Sequence, residues 1–319
     1  MQIISLGEVL WDIFDDQELL GGAPLNFSAS LQRLGHTVAL VTGVGTDDRG
    51  RRTLDRMAEL NLALEFVEQV PDRATGTAVV TLDHQRHATF VIPRPSAFDA
   101  VHVTPGLSAR LAALGAEWLY FGTLAMTNES TLELLLDIVR NNSKLRVFYD
   151  MNLRTGHWSL PLVEHLSALA NVLKLNDEEA ELLFGLEWPE ESFSLEDFCR
   201  HWAARHDIGM ICVTLGSKGC AIFTEGRLET FPGFAIKVAD TVGAGDAFAA
   251  GFVHALSQPW TLKERAAFAN GLGALVASRS GATPQWTIAE CQALVAQQLS
   301  AAPHDGTTRG TAQSMLPSV

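Results

Sequence analysis

The chain is short of the residues that mark several common classes of function. Its four cysteines (Cys199, Cys212, Cys220 and Cys291) form no CxxC pair and have no histidines nearby at zinc-ligand spacing. That pattern excludes a zinc finger or ribbon and points to reduced, mostly buried thiols. Basic residues are scarce: 23 Lys+Arg stand against 37 Asp+Glu, for a net charge of −14. Nonspecific affinity for nucleic acid comes from Lys/Arg patches, so no nucleic-acid partner is expected. A small anion held by a few local donors stays open. The longest uncharged apolar run, residues 266–278, contains Asn270 and is shorter than the about 20 residues a membrane span needs. The opening MQIISLGEVLWD has no basic segment and soon meets Glu8 and Asp12; no signal peptide and a cytoplasmic location are expected. Two familiar phosphate loops are missing as well. No GxxxxGK[ST] occurs, and the nearest approach to GxGxxG has Phe248 in place of its third glycine.

What is present suits a folded protein: 47% hydrophobic and 19% charged residues over 319 positions. That length allows two domains or one large α/β unit. Short apolar runs at 3–6, 38–41, 118–121, 147–149, 172–175 and 210–214 read as buried strands, and 64–67 reads as a further strand. Helical patterns at 24–34, 49–60, 131–140 and 177–184 lie between several of them. The alternation predicts an α/β fold, with a largely parallel central sheet flanked by helices on both faces. Two segments break the rhythm. Residues 7–20 and 75–93 read as strand material without helices, and 77–82 with 87–92 form a hairpin pattern around the turn 83–86. The expected organisation is one body over 1–300, with insertions at about 8–20 and 75–100 building a small β-sheet lid. Residues 301–319 are polar and aperiodic and read as a flexible tail.

The most informative segment is DTVGAGDAF, residues 240–248, followed by Phe252, Ala255 and Leu256 at helical spacing. A glycine pair that opens into a helix suits an anion: the backbone approaches closely, and free N–H groups and the helix dipole point at the charge. Asp246 at the same turn is counterproductive as a mere anion binder. It makes sense as a base for a hydroxyl that attacks a phosphoryl group stabilised by those amides. The alternative is a glycine-rich turn with Asp246 as helix N-cap.

DTVGAGDAFAAGF resembles the C-terminal signature of the ribokinase-like (PfkB-type) family of carbohydrate kinases, and GGAPLNFSASLQRLG at 21–35 resembles its N-terminal signature. The resemblance runs from about residue 2 to 300. It implies an α/β kinase domain with a β lid. Asp246 would be the catalytic base, and the amides of Gly243, Ala244 and Gly245 the anion hole. Asp12, Asn26 and the close backbone at Gly21 and Gly22 would hold the sugar; Asn26 as a helix cap is the alternative. Asn176 and Glu179 resemble the family's NxxE motif, which helps hold Mg²⁺ near the phosphates of ATP. The same spacing is also common as an N-cap with a first-turn acid. Thr214, Gly216 and Gly219 fall in a segment similar to the family's nucleotide-binding strand and turn, and Asn270 falls where a helix residue borders the adenine. Lys218 lies either near the nucleotide or in solvent. Asp240 and residues 280–282 resemble a loop region that binds a monovalent cation such as K⁺ in some members.

Within the family, GEVLWD at 7–12 and DMNLR at 150–154 look most like bacterial fructokinases. Arg154 would then sit near the transferred phosphate or the sugar, offering a planar fork of donors. Phe90 would be an apolar wall of the lid, and Arg86 or Arg94 a polar contact or an ordinary surface charge. Residues 85–90 keep that branch's lid pattern only loosely, so 2-keto-3-deoxygluconate and ribose are rival substrates, and a nucleoside is a further one. A non-catalytic sugar sensor on the same fold is the reading from another class; the intact GAGD favours an enzyme. An exposed lid edge is a natural place for two copies to pair.

Overall fold

The computed structural model describes residues 1–14, 17–82 and 88–301; side chains are described outside 80–90 and 299–301. The first part of the chain forms β1 (Gln2–Leu6), β2 (Leu10–Ile13), β3 (Glu18–Gly21), α1 (Ala23–Arg33), β4 (Thr37–Gly45), α2 (Asp48–Glu59), β5 (Val67–Val70), β6 (Gly76–Leu82) and β7 (Ala88–Val91). The middle forms α3 (Pro105–Ala113), β8 (Trp118–Gly122), α4 (Thr123–Met126), α5 (Glu129–Asn141), β9 (Arg146–Asp150), α6 (Leu160–Ser167), β10 (Val172–Asn176), α7 (Asp177–Glu187) and α8 (Leu195–His206). Then come β11 (Met210–Thr214), β12 (Gly219–Thr224), β13 (Arg227–Pro232), α9 (Ala244–Leu256), α10 (Leu262–Ala277) and α11 (Ile288–Ala301). None of the helices among the described residues is long and apolar enough to cross a membrane.

Nine strands make one sheet in the order β13-β12-β11-β10-β9-β8-β1-β4-β5, parallel except for β12 and β13, which pair antiparallel. Its strands read as continuous apolar runs because both faces are covered. In β8, Trp118 and Tyr120 point into one core with Phe27 of α1, Phe252 of α9 and Phe268 of α10. Leu119 and Phe121 point into the other, with Leu134 of α5, Leu183 of α7 and Trp202 of α8. The four cysteines are free and buried, in α8, β11, β12 and α11. The strand expected at 64–67 begins only at Val67. Phe66 buries from the preceding turn instead, and the strand proper, VEQV, is a half-exposed sheet edge without the apolar run of its neighbours.

A second sheet, β3-β2-β6-β7, stands apart from the first. It is tied to α2: Glu18 of β3 bonds Arg49 at 2.6 Å and Arg52 at 2.9 Å. Arg52 lies 4.1 Å over the Trp11 ring, and the Trp11 indole N–H donates to Thr53 Oγ1 at 2.9 Å. Asp47 caps α2, and it also accepts from the Thr75 N–H and hydroxyl at the foot of β6.

Gly50, in the first turn of α2, is the tightest point of this junction: a Cβ there would lie 1.9 Å from the Gly45 carbonyl oxygen. Gly→Ala in a helix ordinarily stabilises by up to about 1 kcal/mol. Here Gly50→Ala is expected to destabilise by about 2–4 kcal/mol, the range of severe overpacking. Urea unfolding measures it, and an unchanged or raised midpoint contradicts the packing described.

Candidate active site

Strand order reverses at β1, which lies between β4 and β8. In open α/β sheets, ligands bind outside the C-terminal strand ends at such a switch point. Here those ends carry Glu8 just after β1, Asp150 closing β9, Asn176 closing β10 and Thr214 closing β11. The first turn of α9 packs over them.

That turn is built by backbone contact. Gly243, the N-cap of α9, has φ 78°, and a Cβ on it would sit 2.4 Å from the Ala282 carbonyl oxygen. Only glycine fits. The Ala244 N–H donates to Thr241 O at 3.2 Å, so one of the three amides expected in an anion hole is already engaged. Among the described residues, the N–H groups of Gly243, Gly245 and Asp246 meet no acceptor. Free N–H groups at a helix N-terminus are anion-binding donors.

Asp246 is the third residue of α9 and makes no cap bond, so the N-cap alternative does not hold. It is buried, and its Oδ2 accepts from Asn26 Nδ2 at 2.8 Å. Asn26 is likewise no cap: α1 is capped by Gly22, and Asn26 reaches across to α9. Burial pushes the Asp246 carboxyl up to about 6; Asp150 adds to the rise, while the Asn26 bond, Lys174 and Arg154 oppose it. Burial also lifts Asp12 to about 6, with Arg154 opposing and Asp240 adding. Gly21 leaves room for Asp12, whose Oδ2 would be 3.1 Å from a Cβ there, and Gly22 lies against the Glu8 carbonyl at 2.5 Å by the same measure. Arg154 is exposed, and among the described residues its guanidinium has no hydrogen bond or ion pair, while its carbonyl accepts the His157 N–H at 2.8 Å. Its charge acts on Glu8, Asp12 and Asp246.

Arg94 differs from the contact expected of it. Its guanidinium is bonded to Asp99, to the Leu124 carbonyl at 2.8 Å and to Thr127 Oγ1 at 2.5 Å, an internal strut at the base of the lid. Phe90 lies on β7 with its side chain outside the described ones, and Arg86 falls outside the described residues.

On the other side of the α9 turn lies a cavity of about 760 Å³. Asn176, Thr214, Gly216, Gly219, Gly245 and Asn270 line it, alongside the apolar Phe234, Ile236 and Val238. Gly243 shapes the turn from outside this lining, and exposed Lys218 is outside it too. Gly219, at φ 105°, is needed where β12 begins its pairing with β13, since a Cβ would meet Phe231 O at 2.2 Å. Asn270 Nδ2 donates to Pro232 O at 3.2 Å, holding β13 against α10.

Asn176 and Glu179 form a reciprocal capping box at the start of α7. Glu179 also accepts the Leu153 N–H at 2.6 Å. Asp240 ties two loops, accepting from the Val242 and Gly281 N–H groups at 3.0 Å each. Among the described residues, no cluster of three or more His, Cys, Asp or Glu is placed to chelate a metal. With Asn176 and Glu179 bonded to each other's backbone N–H, the donor set fits an ion carried largely by phosphates and waters, the usual coordination of Mg²⁺.

Sequence reasoning gave no role to Glu8, Lys174, Asp150 or Tyr120. Glu8 is buried with Oε2 unpartnered, and burial pushes its carboxyl up to about 7. Lys174 Nζ bonds Asp150 Oδ1 at 2.7 Å, and the Tyr120 hydroxyl donates to Asp150 Oδ2 at 3.0 Å. The available signal was a charge inside an apolar run, as in VLKLN.

Comparison with known proteins agrees with this geometry. Residues 6–288 match the pfkB family carbohydrate kinase model, and the chain belongs to that family. It is 29% identical over 301 residues to a fructokinase of Vibrio alginolyticus, covering 88% of this chain and 94% of that one. Among solved structures, the fructokinase of Xylella fastidiosa with bound ATP superposes with TM-score 0.82 at 23% identity, over 93% of this chain and 99% of that one. A double mutant of the Vibrio cholerae fructokinase, with fructose, ADP and potassium ion bound, gives TM-score 0.78 at 27% identity, over 92% and 98%. The protein is thus a carbohydrate kinase with the ribokinase-like fold.

A buried carboxyl raised from 3.8 to about 6 destabilises the fold as it ionises, and the cost grows as pH rises between those values and stays constant above them. Asp246→Asn removes that cost and keeps an acceptor for Asn26. Its melting temperature at pH 7.5 is expected to equal or exceed that of the parent. A clear fall would mark Asp246 as a structural residue.

Proposed function

We propose that this carbohydrate kinase transfers the γ-phosphoryl group of ATP to a primary hydroxyl of a small sugar, with fructose as the favoured acceptor. The observation that carries the proposal is Asp246, buried and held by Asn26 beside the free N–H groups of the α9 turn, with the cavity on one side and the lid on the other. Adenosine lies between Phe234, Ile236, Val238 and Asn270, with its phosphates directed at Gly245. The sugar is held by Asp12, Asn26 and the backbone at Gly21 and Gly22. Asp246 takes the proton from the attacking hydroxyl as its oxygen bonds the γ-phosphorus in line, the opposite bond to the β,γ-bridging oxygen breaks to release ADP, and the turn amides stabilise the equatorial oxygens. Arg154, whose guanidinium has no partner among the described residues, reaches the transferring group or the sugar. Asn176 and Glu179 would hold Mg²⁺ through its waters, and that ion neutralises phosphate charge when bound. The loops that Asp240 ties are the proposed place for K⁺. The lid excludes water from the transfer, and Val79 and Val91, exposed and paired across β6 and β7, favour association of two copies there.

Fructose is preferred on GEVLWD and DMNLR together with the names of the relatives. A second reading follows from Arg154: an unpaired guanidinium facing the sugar suits a carboxylate, so 2-keto-3-deoxygluconate is the rival. An ADP-release assay with fructose, 2-keto-3-deoxygluconate, ribose and adenosine decides by kcat/KM, with fructose expected to lead. Since the base works only when ionised, kcat/KM for the best substrate should fall about tenfold per pH unit below about 6. Asp246→Asn should lower kcat by roughly 10²–10⁴-fold while KM values change little. Near-normal turnover in that variant would sink the assignment.

A further inference from the structure

Three adjacent strands carry a chain of polar side chains toward the α9 turn. Tyr120 of β8 bonds Asp150 of β9, which bonds Lys174 of β10. Lys174 and Asp150 are register partners, 9% and 0% exposed in their side chains. A buried ion pair of this kind is a weak source of stability, because the loss of hydration offsets the attraction. Its placement is what sets it apart. A Cβ on Gly245 would lie 3.4 Å from Lys174 Nζ, so the ammonium is packed against the underside of the turn. Lys174 has three N–H donors, and Asp150 is its one acceptor among the described residues. Among the described residues, no Lys, Arg or His lines the cavity above.

We propose that the Lys174–Asp150 pair is an oriented dipole serving phosphoryl transfer, with its cationic end reinforcing the turn at Gly245 and its anionic end acting on Asp246. The inference rests on the kinase reading above. Both residues are positioning residues, acting through the turn and the base. The cation adds to the positive end of the α9 dipole, where phosphoryl charge gathers. The charged and titratable groups that act on or sense Asp246 are Asp150, Lys174, Arg154, Glu8 and Tyr120; Asp150 raises the Asp246 carboxyl and Lys174 lowers it, so the two ends of the pair act on the base in opposite directions.

The test compares Lys174→Met, Asp150→Asn and the double variant Lys174→Gln/Asp150→Asn, which is neutral and keeps hydrogen-bonding groups in both places. The acid limb of kcat/KM against pH should move up in Lys174→Met and down in Asp150→Asn, each by roughly half a unit or more. A purely structural role would not drive the limb in opposite directions. Should a lone buried charge prevent the single variants from folding, the double variant decides. It should lose about tenfold or more in kcat with the sugar KM retained. Calorimetry without sugar should show ATP binding weakened by about tenfold and AMP binding unchanged. Wild-type kcat and a wild-type ATP-to-AMP ratio in the double variant, or limbs moving the same way in the singles, would overturn the proposal. A parent enzyme that binds ATP but phosphorylates none of the sugars sinks the sugar assignment instead, and calorimetry still decides the role of the pair.

Discussion

The closeness with which α9 lies against its surroundings is the constraint on which the rest depends. A Cβ on Gly251 would stand 3.1 Å from the Cα of Ala269, and one on Gly273 would stand 3.1 Å from the carbonyl oxygen of Ala244. Small residues let α9 and α10 approach nearly backbone to backbone, while Phe248 and Phe252 anchor α9 in the core shared with α1. The position of the first turn follows from that packing. It brings Asp246 to Asn26 and Gly245 to Lys174, from parts of the chain far apart in sequence.

The electrostatics of the site follow from burial more than from composition. Glu8, Asp12 and Asp246 are carboxyls whose charged forms are disfavoured chiefly by loss of water. The acidity of the chain, −14 overall, is carried elsewhere, on exposed residues such as Glu68, Asp72, Glu190 and Glu191. The proposed nucleotide site, with no basic lining among the described residues, is compatible with so acidic a protein because backbone N–H groups at a helix end are donors to an anion.

Much of this was legible in the sequence, for reasons that differ by element. Strands β1, β8, β10 and β11 showed themselves because a strand covered on both faces is a continuous apolar run, while the VEQV edge strand had no such mark. Gly243 and Gly245 were legible because a glycine pair opening a helix has few other uses. The NxxE spacing proved ambiguous for a physical reason: the bonds that cap α7 engage the same atoms that would face an ion. Arg94 could not be placed from the sequence, because nothing there distinguishes an arginine bonded to Asp99, Leu124 and Thr127 from a free lid contact. The Lys174–Asp150 contact was hidden altogether, since it depends on the register of β9 against β10.

The four buried cysteines carry a practical consequence. Burial lifts Cys199, Cys220 and Cys291 to about 12 and Cys212 well above its usual value. The folded protein therefore presents essentially no thiolate at neutral pH, and thiolate is the form that reacts with alkylating reagents. The four residues sit in α8, β11, β12 and α11, so each strand or helix reports separately. The rate at which each becomes labelled is a native clock for the opening of that part of the fold, available without introducing any probe.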